Sequence, residues 1–329
     1  MSSPKIRFLS RDDVRRSLSM AQAIDLMKDA FVQLSSGQAV VPQRSSMEMP
    51  ALDARALVMP VHIARSGRFG MKLVSLFGNN PDRGLPYLQA LMVVFDASDG
   101  HPLALMDAEY LTALRTGAAS GLATELLANT DARTVMIFGA GAQGRLQLEG
   151  VCAVRGISRA IVFDPNPERS EKFCRDMSAR YPFPVMPARS PAAVADADVI
   201  CTATTSQQPV FDDANLRAGA HINAIGAFRP EMCEIPPATV LRATIVVDHR
   251  PSCLAEAGDI IGPIERGLFD AGRIHAELGE LIAGEKRGRA EAGEITVFKS
   301  VGNAAQDLVA ATQVLHNAEQ FSLGSEFQL

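Results

Sequence analysis

Apolar residues recur at helical spacing in a few stretches of the chain, each framed by cap residues. Ser19 precedes Met20, Ala23, Ile24, Met27, Ala30, Phe31 and Leu34, with Gly37 beyond, which predicts an amphipathic helix. Ser10, three residues before Asp13, predicts a shorter capped turn ahead of it. Between residues 40 and 95 the texture changes to short apolar runs broken by Pro and Gly. Residues 56–60, 70–77 and 87–95 read as strands, 78–86 as a polar loop, and a turn at 96–100 leads into a strand at 102–106. A helix over 108–127 carries Gly117, Ala118, Ala119, Ser120 and Gly121, small residues that let another backbone come close.

Beyond 129–131 strand and helix alternate. Strands are predicted at 134–138, 160–163, 185–187, 199–203, 221–225 and 244–248, with helices from about 143, over 167–180 and near 191–195. That alternation predicts a parallel sheet with helices on both faces. A last helix over 298–321, opened by Ser300 or Gly302, is expected to pack back on the N-terminal part. The predicted fold class is α/β: a Rossmann-type doubly wound parallel sheet over 116–301, plus a discontinuous α+β domain made of 1–115 with 302–329.

Composition adds exclusions. A chain of 329 residues with 47% apolar and 21% charged positions suits two ordinary globular domains, neither disordered nor fibrous. Lys+Arg 32 against Asp+Glu 37 leaves −5, and no stretch gathers the basic residues, so nucleic acid is not expected as a partner. Five cysteines (Cys152, Cys174, Cys201, Cys233, Cys253) form no CxxC pair, which suits a reducing cytoplasm. No leader is apparent, and uncharged stretches such as 199–211 fall short of the ~18 residues of a membrane span. Six histidines show no HxxxH spacing and no clustering with cysteine, so no metal site is expected.

The sharpest chemical signal follows the strand at 134–138. Gly139, Gly141 and Gly144 form GxGxxG with Ala142 and Gln143 between them, set between a buried strand and a helix. Gly139 allows the tight turn, Gly141 lets a pyrophosphate reach the backbone, and Gly144 lets the helix pack on the strand; the free N–H groups at the helix N-terminus then face the phosphates. Asp164 ends the next strand, where a carboxylate accepts from the adenosine ribose hydroxyls and repels a 2′-phosphate; NAD(H) is therefore favoured, with Arg169 nearby leaving NADP(H) open. Thr202, Thr204 and Ser206 follow the strand at 199–203, where such a sheet passes the nicotinamide ribose. Lys299 and Ser300 stand where they reach the nicotinamide side or cap the last helix.

The chain resembles the ornithine cyclodeaminase/mu-crystallin family over nearly its whole length. The blocks are Pro42-Gln43-Arg44, Met71-Lys72-Leu73-Val74-Ser75, Gly78-Asn79-Asn80 with Gly84-Leu85-Pro86, and Leu114 to Ser120. Then come Gly139 to Gln143, Ile222 to Gly226, Glu256-Ala257-Gly258-Asp259 and Thr296 to Asn303. The resemblance implies nicotinamide chemistry at the bond between an α-carbon and nitrogen, in a homodimer whose N-terminal sheets pair and whose N-terminal domain binds the substrate. It makes Arg44 and Arg115 a clamp for the substrate carboxylate and Lys72 the active-site lysine. A guanidinium bonds a carboxylate through two parallel N–H groups, and a lysine in a run with no other charge has its pKa lowered by burial. Three such cations meeting in one empty pocket are expected to repel one another, so that replacing one spares or raises stability. Glu48 and Met59, on the same sheet, read as a surface acid and a core methionine.

One departure decides among the family's activities. Cyclodeaminases carry an Asp two residues after the glycine of the strand end, where this chain has Phe228 after Gly226. Phe228 cannot accept a proton, and the reductases of the family also lack an acid there. The expectation is therefore NAD(P)H-dependent reduction of a small α-ketimino acid such as Δ1-pyrroline-2-carboxylate to the L-amino acid. Alternatives are an ornithine or lysine cyclodeaminase with tightly held NAD, an amino-acid dehydrogenase, and a non-enzymatic nucleotide-dependent binder.

Overall fold

The period-two runs become strands and the 3.6-spaced runs become helices in the structure, a computed structural model that describes residues 5–328. In chain order the elements are β1 (Lys5–Leu9), α1 (Arg11–Ser17), α2 (Met20–Ser35), β2 (Ala39–Val40), β3 (Ser45–Met49), β4 (Ala54–Ile63), β5 (Arg68–Phe77), β6 (Leu88–Asp96), β7 (Pro102–Asp107) and α3 (Glu109–Leu127). There follow β8 (Thr134–Phe138), α4 (Ala142–Val154), β9 (Arg159–Phe163), α5 (Pro167–Ser178), β10 (Val185–Pro187), β11 (Val199–Thr202), β12 (His221–Ala224), α6 (Pro237–Arg242) and β13 (Thr244–Val247). The chain ends with α7 (Arg250–Glu256), α8 (Gly258–Glu265), β14 (Ile274–Glu277), α9 (Leu278–Ile282), β15 (Thr296–Lys299), α10 (Ala304–Gln320) and β16 (Ser325–Gln328). Two compact units result: residues up to Arg115 with those from Asn303 onward, and Thr116–Gly302.

The first unit is built on an eight-stranded sheet of order β16-β1-β7-β6-β5-β4-β2, with β3 beside β4. Its pairs are antiparallel except β1 beside β7. Alternation assigns the faces: Leu57, Met59, Val61 and Ile63 of β4, Val74 and Leu76 of β5, and Ala90, Met92 and Val94 of β6 are buried. Helix α10 packs on β4, β5, β6 and α2. Lys72 is in register between Met59 and Met92, so it points into this core with them. Glu48, on exposed β3, pairs with Arg55. Both helix starts read from Ser10 and Ser19 are capping boxes, with Asp13 and Gln22 reaching back to the cap residue.

The second unit is an all-parallel sheet of order β10-β9-β8-β11-β12-β15-β13-β14. Chain direction across the sheet reverses at β8, with β9 to one side and β11 to the other, which makes the carboxyl end of β8 a topological switch point. Three expectations need correction. Phe298 and Lys299 are not the start of the last helix but the end of strand β15, which is hydrogen-bonded to β12 and β13 and buried on both faces. The helix cap is neither Ser300 nor Gly302 but Asn303, whose side chain accepts from the Ala305 N–H; Gly302 has φ +77°, outside the helical range. The helix expected near 191–195 is a 3₁₀ turn, Pro191–Asp196. Among the described residues no helix is long and apolar enough to cross a membrane.

Candidate active site

In the first unit one carboxylate gathers two of the predicted cations. Asp307, in the first turn of α10, places Oδ2 2.6 Å from Lys72 Nζ and Oδ1 3.0 Å from Arg115 Nε. Lys72 is 1% exposed, Arg115 5% and Asp307 0%. Arg115 Nη1 also donates to Gln306 Oε1 at 2.7 Å, and Lys72 Nζ lies 3.4 Å from Thr112 Oγ1. Arg44, half-buried in the segment before β3, is near enough for its charge to act on Lys72. The three cations thus converge from β5, α3 and the β2–β3 segment.

Burial pushes the Lys72 ammonium down to about 7, with the charges of Arg115 and Arg44 acting the same way and Asp307 opposing them. The Asp307 carboxyl is held below the usual range: burial disfavours its charge, but Arg115 and Lys72 together outweigh burial. The expectation that the cations meet uncompensated is corrected by this anion. Sequence reasoning missed Asp307; its signal was a Gln-Asp pair inside the otherwise apolar run Ala304 to Ala311. Gln306 is fully buried, and its Nε2 has no hydrogen-bond partner among the described residues.

In the second unit the glycine loop has the shape that a dinucleotide needs. Gly139 has φ +97°, and a Cβ there would stand 2.5 Å from Ala203 O. A Cβ on Gly144 would meet Gly139 O at 2.3 Å, whereas one on Gly141 would meet nothing within 4 Å. Helix α4 begins at Ala142 with no side chain capping it from Gly141, so its first N–H groups are open to an anion. Gln143 Oε1 is buried without a hydrogen-bond partner among the described residues. An open backbone cradle and uncapped N–H groups fit a pyrophosphate-bearing group.

Asp164 sits at the end of β9, its Oδ2 accepting from Ala140 N at 3.0 Å and its Oδ1 from Asn166 N at 2.9 Å. Each oxygen has a second lone pair for a ribose hydroxyl, and the carboxylate also shapes the glycine loop. Two further candidates are buried. Thr202 is fully buried and its hydroxyl donates to Glu234 at 2.9 Å. Ser300 is 2% exposed and its hydroxyl donates to Asp248 Oδ2 at 2.7 Å, an oxygen that also accepts from Val301 N and Gly302 N. Both hydroxyls donate to buried carboxylates. Thr204, less buried, also donates to Glu234, at 2.8 Å. Lys299 is fully buried and paired with Asp259 at 2.8 Å.

Comparison with known proteins follows the same outline. The sequence profile of the ornithine cyclodeaminase/mu-crystallin family matches residues 5–322. The chain is 35% identical to the Delta(1)-pyrroline-2-carboxylate reductase of Bacillus cereus over 322 residues, 97% of this chain and 99% of that protein. It superposes on the Thermococcus litoralis Delta(1)-pyrroline-2-carboxylate reductase in complex with NADH and L-proline with a TM-score of 0.95 and 39% identity, covering 97% of this chain and 99% of that one. An archaeal alanine dehydrogenase dimer with bound NAD gives a TM-score of 0.93 and 34% identity, with 99% of each chain covered.

Proposed function

Because the chain belongs to the ornithine cyclodeaminase/mu-crystallin family, we propose that it is an NADH-dependent oxidoreductase that reduces a small α-imino acid, Δ1-pyrroline-2-carboxylate first among them, to the L-amino acid. The observation that carries this reading is the buried Lys72–Asp307–Arg115 cluster: two cations share one carboxylate, leaving a positive charge in a desolvated site. A carboxylate substrate neutralises that charge.

Arg115 keeps Nη2 free of the bonds that its Nε and Nη1 make to Asp307 and Gln306, and with Arg44 it holds the substrate carboxylate. The unpartnered Nε2 of Gln306 offers a further donor. Lys72, held by Asp307 and titrating near neutrality, gives a proton to the substrate nitrogen. Gly139, Gly141, Ala142, Gln143 and Gly144 hold the dinucleotide pyrophosphate and Asp164 its adenosine ribose. The bound nicotinamide supplies the hydride that the imine carbon receives. NADP(H) remains the alternative cofactor.

Phe228 speaks against the cyclodeaminase reading. It packs against the apolar core of the second unit and has no atom that takes up a proton. The test is a panel of Δ1-pyrroline-2-carboxylate, Δ1-piperideine-2-carboxylate, pyruvate with ammonia and iminosuccinate, each with NADH and NADPH, beside ornithine with NAD. Reduction of an imine with proline or its analogue as product is expected. Conversion of ornithine to proline with ammonia release and no imine reduction would overturn the reading.

A homodimer through the first-unit sheet is supported by the sheet's outer face. Val58, Leu73 and Leu91 are cross-strand neighbours on β4, β5 and β6 and are 39%, 44% and 47% exposed. Pro60, Met71 and Val93 form the next row. A sheet face this apolar is covered by pairing with a second copy. All five cysteines are free, in keeping with a cytoplasmic protein.

A further inference from the structure

The second unit buries a carboxylate that the proposed chemistry does not use. Glu234 lies in the segment after β12 and is fully withdrawn from solvent. Its Oε1 accepts from Thr204 N at 2.7 Å and Thr204 Oγ1 at 2.8 Å. Its Oε2 accepts from Thr202 Oγ1 at 2.9 Å, Gly226 N at 2.7 Å and Ala227 N at 3.0 Å. Thr202 ends β11 and Thr204 follows it, while Gly226 and Ala227 lie just past β12. One side chain therefore joins the loops that leave two adjacent parallel strands.

Each carboxylate oxygen receives at least one backbone N–H, which can only donate. Burial raises the Glu234 pKa, while the charge of Lys299 and the bonds from Thr204 favour the anion. Lys299 Nζ pairs with Asp259 Oδ2 at 2.8 Å. Asp259 Oδ1 in turn accepts from Glu234 N at 2.7 Å and Ile235 N at 3.0 Å. A Cβ on Gly226 would stand 2.4 Å from both Glu234 Oε1 and Thr204 O, so only glycine lets this backbone approach. The carboxyl ends of β11, β12 and β15 are thereby tied into one buried lattice.

The lattice lies on a definite half of the sheet. The uncapped start of α4 follows β8, and Asp164 follows β9 on one side of it; β11 and β12 lie on the other side. With the pyrophosphate at α4 and the adenosine ribose at β9, the nicotinamide half extends over β11 and β12. Resting on the dinucleotide reading above, we infer that Glu234 is a positioning residue for the nicotinamide half of the cofactor, fixing the two loops that flank it while leaving the adenosine half alone.

The test uses the full chain and two ligands: NADH, followed by fluorescence titration, and ADP-ribose, which lacks the nicotinamide, followed by calorimetry. Glu234→Gln keeps the shape but puts an NH₂ where one oxygen stood, so in either orientation at least one backbone N–H loses its acceptor. The expected result is NADH binding weakened about tenfold with ADP-ribose within about twofold of wild type. Unchanged affinity for both ligands, or an equal loss of both, overturns the inference. Should Glu234→Gln fail to fold, Thr202→Val removes one buried hydroxyl donor and is read by the same pair, with a smaller loss confined to NADH expected and equal effects overturning it. Failure of the wild type to bind ADP-ribose would instead sink the dinucleotide site itself.

Discussion

Lys72 Nζ lies 2.6 Å from Asp307 Oδ2, and both side chains are sealed from solvent. The pair joins β5 to the first turn of the last helix, with Arg115 on the other oxygen of the same carboxylate. An ammonium so placed stays available as an acid near neutral pH only because the carboxylate offsets burial and two guanidinium charges.

That balance has a consequence for the pH profile. Asp307 is the charge that raises the Lys72 pKa, while burial, Arg115 and Arg44 lower it to about 7. The proton donor is the ammonium, so kcat/KM for imine reduction falls as pH rises through this pKa. Asp307→Asn removes the one raising charge and moves the fall to lower pH, by about one unit or more. The measurement is kcat/KM against pH at saturating NADH for both proteins. A limb at the same pH in both would show that another group titrates.

Lys72 and Arg115 should fail differently. Lys72→Ala is expected to lose about a hundredfold or more in kcat with a smaller change in KM, since proton delivery goes while the carboxylate clamp stays. Arg115→Ala raises KM and also lowers the melting temperature, because Asp307 loses one of its two buried cations, at a cost of about 3 kcal/mol or more. Arg115→Lys separates the two effects: it restores the charge and the melting temperature, but KM stays high because a single ammonium cannot hold Asp307 and Gln306 and also reach the substrate carboxylate as the guanidinium does. Steady-state kinetics beside thermal melting read both.

At Asp164 the choice of substitution matters, because its Oδ2 also holds the Ala140 N–H. Asp164→Asn keeps an acceptor for that bond and removes the charge; NADH binding weakens by about 1–3 kcal/mol while repulsion of NADPH is relieved. Asp164→Ser loses the loop contact as well and weakens both cofactors. Dissociation constants for NADH and NADPH check this, and a wild type that prefers NADPH tenfold would contradict the assignment.

The outer face of the first sheet gives a physical test of assembly. Leu73 is 44% exposed between Val58 and Leu91, so Leu73→Lys puts a charge at the centre of the apolar row. Light scattering should show wild type at twice the chain mass and the variant at or near the monomer mass. A wild-type monomer would remove the dimer proposal.

What the sequence carries by itself is what neighbours along the chain decide. The caps at Ser10 and Ser19 depend on residues three apart, the faces of β4, β5 and β6 on period two, and the turn at Gly139 on one left-handed backbone conformation. The three cations could be picked out because each stands in an apolar or small-residue run. Strand β15 was not legible: its last two residues, Phe298 and Lys299, read as the start of a helix until β12 and β13 bracket the strand with hydrogen bonds. Thr202 and Ser300 stood where a cofactor passes, yet Glu234 and Asp248 claim their hydroxyls. Asp307 looked like one polar residue in an apolar helix, and only the packing of α10 against β5 turned it into the anion shared by Lys72 and Arg115. Hydrogen bonds and charge pairs inside a core depend on distance in space, and burial multiplies their strength, so the partners of every buried polar group were settled by the fold and by nothing local.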